Sequence, residues 1–374
     1  MLVDNAENNK VSIIGIGRLG LCFALTLEKS GYDVLGCDVH QGYVDEINNK
    51  TVKSSECGVE EFLNRSSNFK ATTSLKETID HSNMLFIMVA TPSLESGRYD
   101  HSQIDNLVEE VKKLGVQEEK KHFVISCTPM PGYCDTVQQE LESYNYVVSY
   151  NPEFIAQGTI LRDQSEPDMV LIGEGSEEAG DRIQEIYEHH TISDPKFCRM
   201  TRIESEICKI SLNCYVTTKI SFANMIGDIV KKSGGNPHTV LGAIGSDSRV
   251  GSKYLGYGYG YGGPCFPRDN RALGIYAQDI DMAADISLAT DKINEKHLIF
   301  QVSEFISNHS SAEPVFFESI TYKPGTTIIE ESQQLAFAVE VAKAGYDVMI
   351  IEHRDTISQV RDLYGDLFTY EEKR

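Results

Sequence analysis

Two stretches of the chain combine residue types and spacings suited to chemistry. The first is YLGYGYGYGGPCFPRD at 254–269, where tyrosine and glycine alternate before Cys265, and Arg268 and Asp269 follow it. Glycines at that density let a backbone bend closely around a ligand, and a neighbouring cation favours the thiolate, the nucleophilic form of cysteine. The same pattern also suits a flexible aromatic loop around an inert, packed cysteine. The second is GIGRLG at 15–20, which places Gly15, Gly17 and Gly20 between the apolar run VSIIG and a helix-like segment. Strand, glycines and helix in that order bring a diphosphate to a helix N-terminus, whose dipole favours an anion. Asp38, 18 residues beyond Gly20 at the end of the next apolar run, is placed to accept hydrogen bonds from a ribose and to repel a 2′-phosphate. On this reading Gly15, Ile16, Gly17, Arg18, Leu19, Gly20 and Asp38 cradle a dinucleotide, NAD in preference to NADP.

The elements that would position these residues are legible as short apolar runs: VSIIG, DVLGCD at 33–38, MLFIMVATP at 84–92, HFVISCTP at 122–129, YVVSYNP at 146–152 and DMVLIG at 168–173. Runs of this kind are buried parallel strands, and the stretches between them, such as LGLCFALTLEKSG and QIDNLVEEVKKLG, have helical spacing. Strand and helix alternating in this way predict a Rossmann-type, doubly wound α/β domain over 1–199. From Thr201 a helical segment runs without Pro or Gly as far as Gly227, opening a central helical domain over 200–311. Residues 312–374 return to α/β, with strands predicted at 314–322 and 346–353 around a helix. EKSGYDVLGCD at 28–38 and AKAGYDVMIIE at 342–352 share one helix-end and strand grammar, a weak internal repeat.

Composition bounds the partners. The formal net charge is −22, which disfavours electrostatic binding of nucleic acid or of anionic membranes. Nine cysteines without CxxC spacing point away from zinc and towards a reducing, cytoplasmic setting. The polar, acidic start MLVDNAENNK is unlike a signal peptide, and no apolar run approaches the roughly 18–20 residues of a membrane span.

GYGGPCFPRD resembles the GxGFGGSCFPKD loop of the nucleotide-sugar 6-dehydrogenases. GIGRLG resembles that family's GxGYVG, VATPS at 89–93 its V-x-TP, CTPMPG at 127–132 its STVPPG, and YNPEFIAQG at 150–158 its SNPEFLAEG; DSRVGSKYL at 247–255 and ITYKPGT at 320–326 extend the match. The resemblance implies a four-electron oxidation of a sugar alcohol to a carboxylate with two NAD, in which Cys265 attacks the intermediate aldehyde. It implies that Lys209 and Asn213, four apart on one helix face, stabilise an oxyanion. Asp269 and Thr128 would hold a catalytic water, and Glu153 would assist thioester hydrolysis. Thr91, Thr128, Gln157 and Arg268 join the cofactor site. Glu153, Phe154, Ile155, Ala156, Gln157, Lys209, Asn213, Tyr254, Leu255, Tyr257, Gly258, Gly262 and Lys323 line the substrate, with Arg249 reaching it across a homodimer interface. Phe266 favours the UDP-glucose branch; GDP-mannose, or binding without catalysis, are the alternatives.

Three departures stand out. Gln157 replaces the second glutamate of NPEFLAEG, and Glu330 stands where GTxDxRES has a cofactor-contacting arginine, so Glu330 is expected to point away from a diphosphate. The C-terminal unit, ending about 20 residues after its second predicted strand, is expected to build part of the nucleotide cleft differently.

Overall fold

The computed structural model describes residues 9–373. It divides into two compact units, one ending at Lys209 and the other beginning at Ile210, and the boundary falls inside a single helix, Arg202–Lys232.

In the first unit the chain forms strands β1 (Lys10–Ile14), β2 (Asp33–Cys37), β3 (Lys70–Thr72), β4 (Met84–Ile87), β5 (Lys121–Ile125), β6 (Tyr146–Tyr150), β7 (Met169–Glu174) and β8 (Lys196–Thr201). They lie in one sheet of order β3-β2-β1-β4-β5-β6-β7-β8, parallel throughout except where β6 meets β7 at Tyr150 and Gly173. Alternate side chains serve two cores. Val11, Ile13, Phe86 and Val124 join Phe23, Leu25 and Ile183 in one, and Ile14, Leu85, Ile87, Phe123 and Ile125 join Ile104, Val108 and Val137 in the other. Helices cover both faces, which is why the strands read as continuous apolar runs. Strand order reverses between β1 and β4, so the loops leaving those strands open the crevice where ligands bind in such sheets.

β3 and β8 were not expected. KAT is three residues long, and KFCRMT carries two cations and stays half-exposed at the sheet edge, so neither has an apolar run to announce it.

In the second unit the helices Pro237–Ser246, Phe266–Asp279 and Asp285–Asn308 precede a parallel sheet of order β11-β10-β9, formed by β9 (Val315–Phe317), β10 (Val348–Glu352) and β11 (Thr369–Glu372). Leu298, Val302 and Phe305 of the Asp285–Asn308 helix pack into the core of Phe317, Phe337 and Tyr346, so the C-terminal sheet shares its interior with that helix. β9 ends at Phe317, short of the predicted 314–322, because the chain bends at Glu318; further on, the Thr321 hydroxyl donates to the Lys323 carbonyl at 3.0 Å. β11 adds a third strand that its charged residues concealed. The described residues contain no helix long and apolar enough to cross a membrane, and no metal-binding cluster of His, Cys, Asp or Glu.

Candidate active site

β1 ends at Ile14 and the chain turns at Gly15, whose φ of 90° disfavours a side chain. A Cβ there would lie 2.8 Å from the Met88 carbonyl carbon, and a Cβ on Gly20 would lie 2.1 Å from the Gly15 carbonyl oxygen. Only glycines allow this close packing of turn, helix and neighbouring strand. The Arg18–Lys29 helix begins at Gly17 with no capping side chain and no acid in its first turn, so its first N–H groups are left for an anion. The Ile16 side chain is fully buried, leaving its backbone for the turn, and half-buried Leu19 packs on the core. Asp38 follows β2 half-buried, its Oδ1 accepting the His40 N–H at 3.0 Å. The bare helix N-terminus and the nearby carboxylate fit the diphosphate and ribose of NAD.

The NPEF segment leaves β6. Asn151 donates to the Leu171 carbonyl at 2.9 Å, and its Oδ1 accepts from the Tyr187 hydroxyl at 2.9 Å. That hydroxyl is shared with Glu153 Oε1 at 3.2 Å. Burial pushes the Glu153 carboxyl up to about 7, against the lowering effects of Tyr187 and the Lys209 charge. Buried Lys209 donates to the Glu153 carbonyl at 2.6 Å, its ammonium 4.2 Å from the Phe154 ring centroid. Further along, the Ala156 N–H donates to Asp163 at 3.0 Å, and both Glu56 carboxylate oxygens accept from the Gly158 N–H. Ile155 packs against the core. Gln157 Oε1 accepts from the Arg18 guanidinium at 2.6 Å.

Thr91 and Thr128 are buried after β4 and β5. The CTPMPG loop is fixed by His101, which accepts the Met130 N–H at 3.1 Å, and by Glu206, which accepts the N–H groups of Gly132 and Cys134 at 2.6 and 2.8 Å. Glu206, Lys209 and Asn213 follow one another by three and four residues, the spacing of a single helix face.

In the second unit Cys265 is exposed and caps the N-terminus of the Phe266–Asp279 helix, where the helix dipole favours thiolate. One turn on, Asp269 is fully buried; its carboxylate accepts from Asn213 Nδ2 at 2.6 Å and Arg268 Nε at 3.0 Å. A Cβ on Gly262 would lie 2.1 Å from the Glu331 carbonyl oxygen, so the loop before Cys265 passes tightly over that backbone. Other loop residues are structural in their visible contacts. Leu255 is buried in an apolar cluster, Tyr257 donates to Asp228 at 2.9 Å, and the Gly258 carbonyl accepts from His297 and Gln301. Tyr254 is exposed, its ring 6.4 Å from that of Phe266. Arg249 is exposed and paired with Asp247. Lys323 is half-buried and Glu330 is exposed, while the next residue, Glu331, ion-pairs with Arg271 at 2.6 Å.

Sequence reasoning overlooked Tyr187, Glu206 and the Asp228–His297 pair. Tyr187 sits in an ordinary amphipathic helix and left no signal, whereas Glu206 could have been found by extending the Lys209–Asn213 face one turn back.

Models of the UDP-glucose/GDP-mannose dehydrogenase family match residues 9–191 with its NAD-binding domain and residues 203–296 with its central domain. The chain belongs to that family. It is 27% identical to the UDP-glucose 6-dehydrogenase of Rickettsia felis over 345 residues, 89% of this chain and 75% of that protein. It is 28% identical to the GDP-mannose 6-dehydrogenase of Pseudomonas aeruginosa over 94% of this chain and 83% of that one. A solved UDP-glucose dehydrogenase from Pyrobaculum islandicum superposes with a TM-score of 0.88 at 26% identity, covering 100% of this chain and 88% of that one. Membership in the family makes the chain an NAD-dependent nucleotide-sugar dehydrogenase, with the glycine turn and Asp38 inside the matched NAD-binding domain.

Proposed function

We propose that this chain oxidises UDP-glucose at C6 to UDP-glucuronate through a thiohemiacetal and a thioester on Cys265. The observation that carries the reading is the exposed Cys265 at a helix N-terminus with the buried Asp269, oriented by Asn213, one turn behind it. NAD supplies the hydride acceptor for each of the two oxidations. Asp269 and Thr128 hold the water that takes the C6 hydroxyl proton. Lys209 and Asn213 stabilise the oxyanion that develops on C6. The Cys265 thiolate adds to the aldehyde and retains it, and the thiohemiacetal becomes a thioester when its C6 hydrogen leaves as hydride. Glu153 then takes a proton from a second water, which adds to the thioester carbonyl; the C–S bond breaks, and thiolate and carboxylate are released. A carboxyl held at about 7 is suited to that exchange near neutral pH.

The working unit is a homodimer in the cytoplasm. On the Arg202–Lys232 helix the buried positions include the polar Ser205, Glu206, Thr217, Ser221 and Asn224, while Leu212, Tyr215, Phe222 and Ile229 are exposed. An apolar outer stripe on a helix is a surface for a partner, and Arg249, exposed and paired with Asp247, is within reach of serving a partner's substrate. GDP-mannose is the second reading, favoured by the 28% identity to a GDP-mannose 6-dehydrogenase. Incubation of purified protein with NAD and a panel of nucleotide sugars decides between them. UDP-glucose should give two NADH per sugar; two NADH from GDP-mannose alone would select the second reading, and no NADH from any sugar would exclude both.

A further inference from the structure

Arg18 is an unexpected residue where it stands. It is the first residue of the Arg18–Lys29 helix, and a cation there faces the positive end of the helix dipole, an unfavourable placement unless an anion joins it. It is exposed, and among the described ion pairs none involves Arg18. Its hydrogen-bond partner is instead the neutral amide of Gln157, at 2.6 Å. The nearby Glu56 carboxylate is turned to the Gly158 N–H at 2.8 and 2.9 Å. Gln157 therefore aims the guanidinium without neutralising it. A glutamate at 157, as in the NPEFLAEG pattern, would form an ion pair with Arg18 and cancel the charge at the helix terminus.

We infer that Arg18 and Gln157 act as a pair, Arg18 as a contact to the cofactor diphosphate and Gln157 as the positioning residue that keeps its charge available. The inference rests on the NAD site described above. It turns the loss of the family glutamate into part of the binding device: with −22 net charge on the chain, an uncompensated cation at the diphosphate is worth more than an ion pair. It also separates the fragments of NAD. Arg18 should matter to ligands that carry the diphosphate and not to those that lack it.

The test is direct binding by calorimetry, with no substrate present, of NAD, ADP-ribose and adenosine to the intact protein and to the variants R18A, Q157E and R18A/Q157E. Arg18 is exposed and Gln157 half-buried, and thermal melts run alongside check that all four proteins are equally folded. R18A should weaken NAD and ADP-ribose about tenfold and leave adenosine unchanged. Q157E should weaken the same two ligands about three- to fivefold, and that loss should shrink in the R18A background. Equal loss for adenosine, a Q157E penalty of the same size without Arg18, or tighter binding by Q157E would each overturn the pairing. Failure of the unaltered protein to bind NAD or ADP-ribose at all would instead overturn the cofactor site on which the pairing depends.

Discussion

Glu153 illustrates how burial sets chemistry at the scale of one residue. Its carboxyl is lifted to about 7 because the loss of water outweighs the Tyr187 hydroxyl and the Lys209 charge, both of which favour the ionised form. A general base must be unprotonated, so kcat should rise with pH and level off above about pH 7, and Glu153→Gln should lower kcat by about 10²–10⁴-fold. Stability should respond in the opposite direction. Between the ordinary glutamate value and about 7 the folded chain holds a proton that the unfolded chain has released, so this site loses stability as pH rises through that window. Glu153→Gln should therefore melt higher than the parent at pH 8, by an amount equivalent to about 1–3 kcal/mol, with no gain at pH 4. Equal melting at pH 8, or an unchanged rate, would remove Glu153 from this role. Cys265→Ser should separately stop the reaction short of the carboxylate, giving at most one NADH per active site and no uronate by mass spectrometry. Cys265, Asp269 and Glu153 were legible as candidates because each sits in a distinctive local phrase. Tyr187 was not, since its hydrogen bond to Glu153 joins residues 34 apart in sequence.

Elements hold those residues at fixed places through buried polar contacts. Glu206 is 1% exposed and ties the long helix to the Thr128 loop through the N–H groups of Gly132 and Cys134. Removing it in Glu206→Ala leaves the buried Cys134 N–H and the half-buried Gly132 N–H unpaired, a loss of about 1–3 kcal/mol that chemical denaturation would register. In the second unit buried His297 has Nδ1 2.8 Å from Asp228 and Nε2 2.7 Å from the Gly258 carbonyl. Bridging Asp228 and the Gly258 carbonyl, the histidine clamps the loop that leads to Cys265. His297→Ala should speed amide exchange across residues 256–263 and lower kcat, leaving NAD affinity unchanged; unaltered exchange there would show the clamp to be dispensable. Apolar periodicity made the doubly wound sheet readable because its strands are buried on both faces. It missed β3, β8 and β11 because edge strands carry polar residues, and it could not see the clamp because Asp228 and His297 lie on separate helices.

For the whole molecule, net charge alone is an incomplete guide to how anions are held. Arg249 and Arg268, two cations that the sequence offers for anionic ligands, are already paired with Asp247 and Asp269. Cations must therefore be assessed with their partners, and in the proposed homodimer the reach of Arg249 depends on where the second chain lies. The long helix offers a surface for that proposed partner. Tyr215, Phe222 and Ile229 recur every seven residues and are 62, 40 and 56% exposed, the repeat of a helix seam that packs along a partner. Burying such side chains against a second copy stabilises association by about 1.5–3 kcal/mol each at most, and a carboxylate placed in the seam meets its own copy across the two-fold axis. The double variant Phe222→Asp with Ile229→Asp should elute as a monomer in light-scattering chromatography, with an unchanged circular dichroism spectrum. It should still bind NAD, whose glycine turn belongs to the first unit, yet turn over nucleotide sugar at least tenfold more slowly, as should Arg249→Ala in an intact dimer. A parent protein that is monomeric at micromolar concentration and fully active would show that each chain completes its own site, and that the exposed stripe serves some other contact.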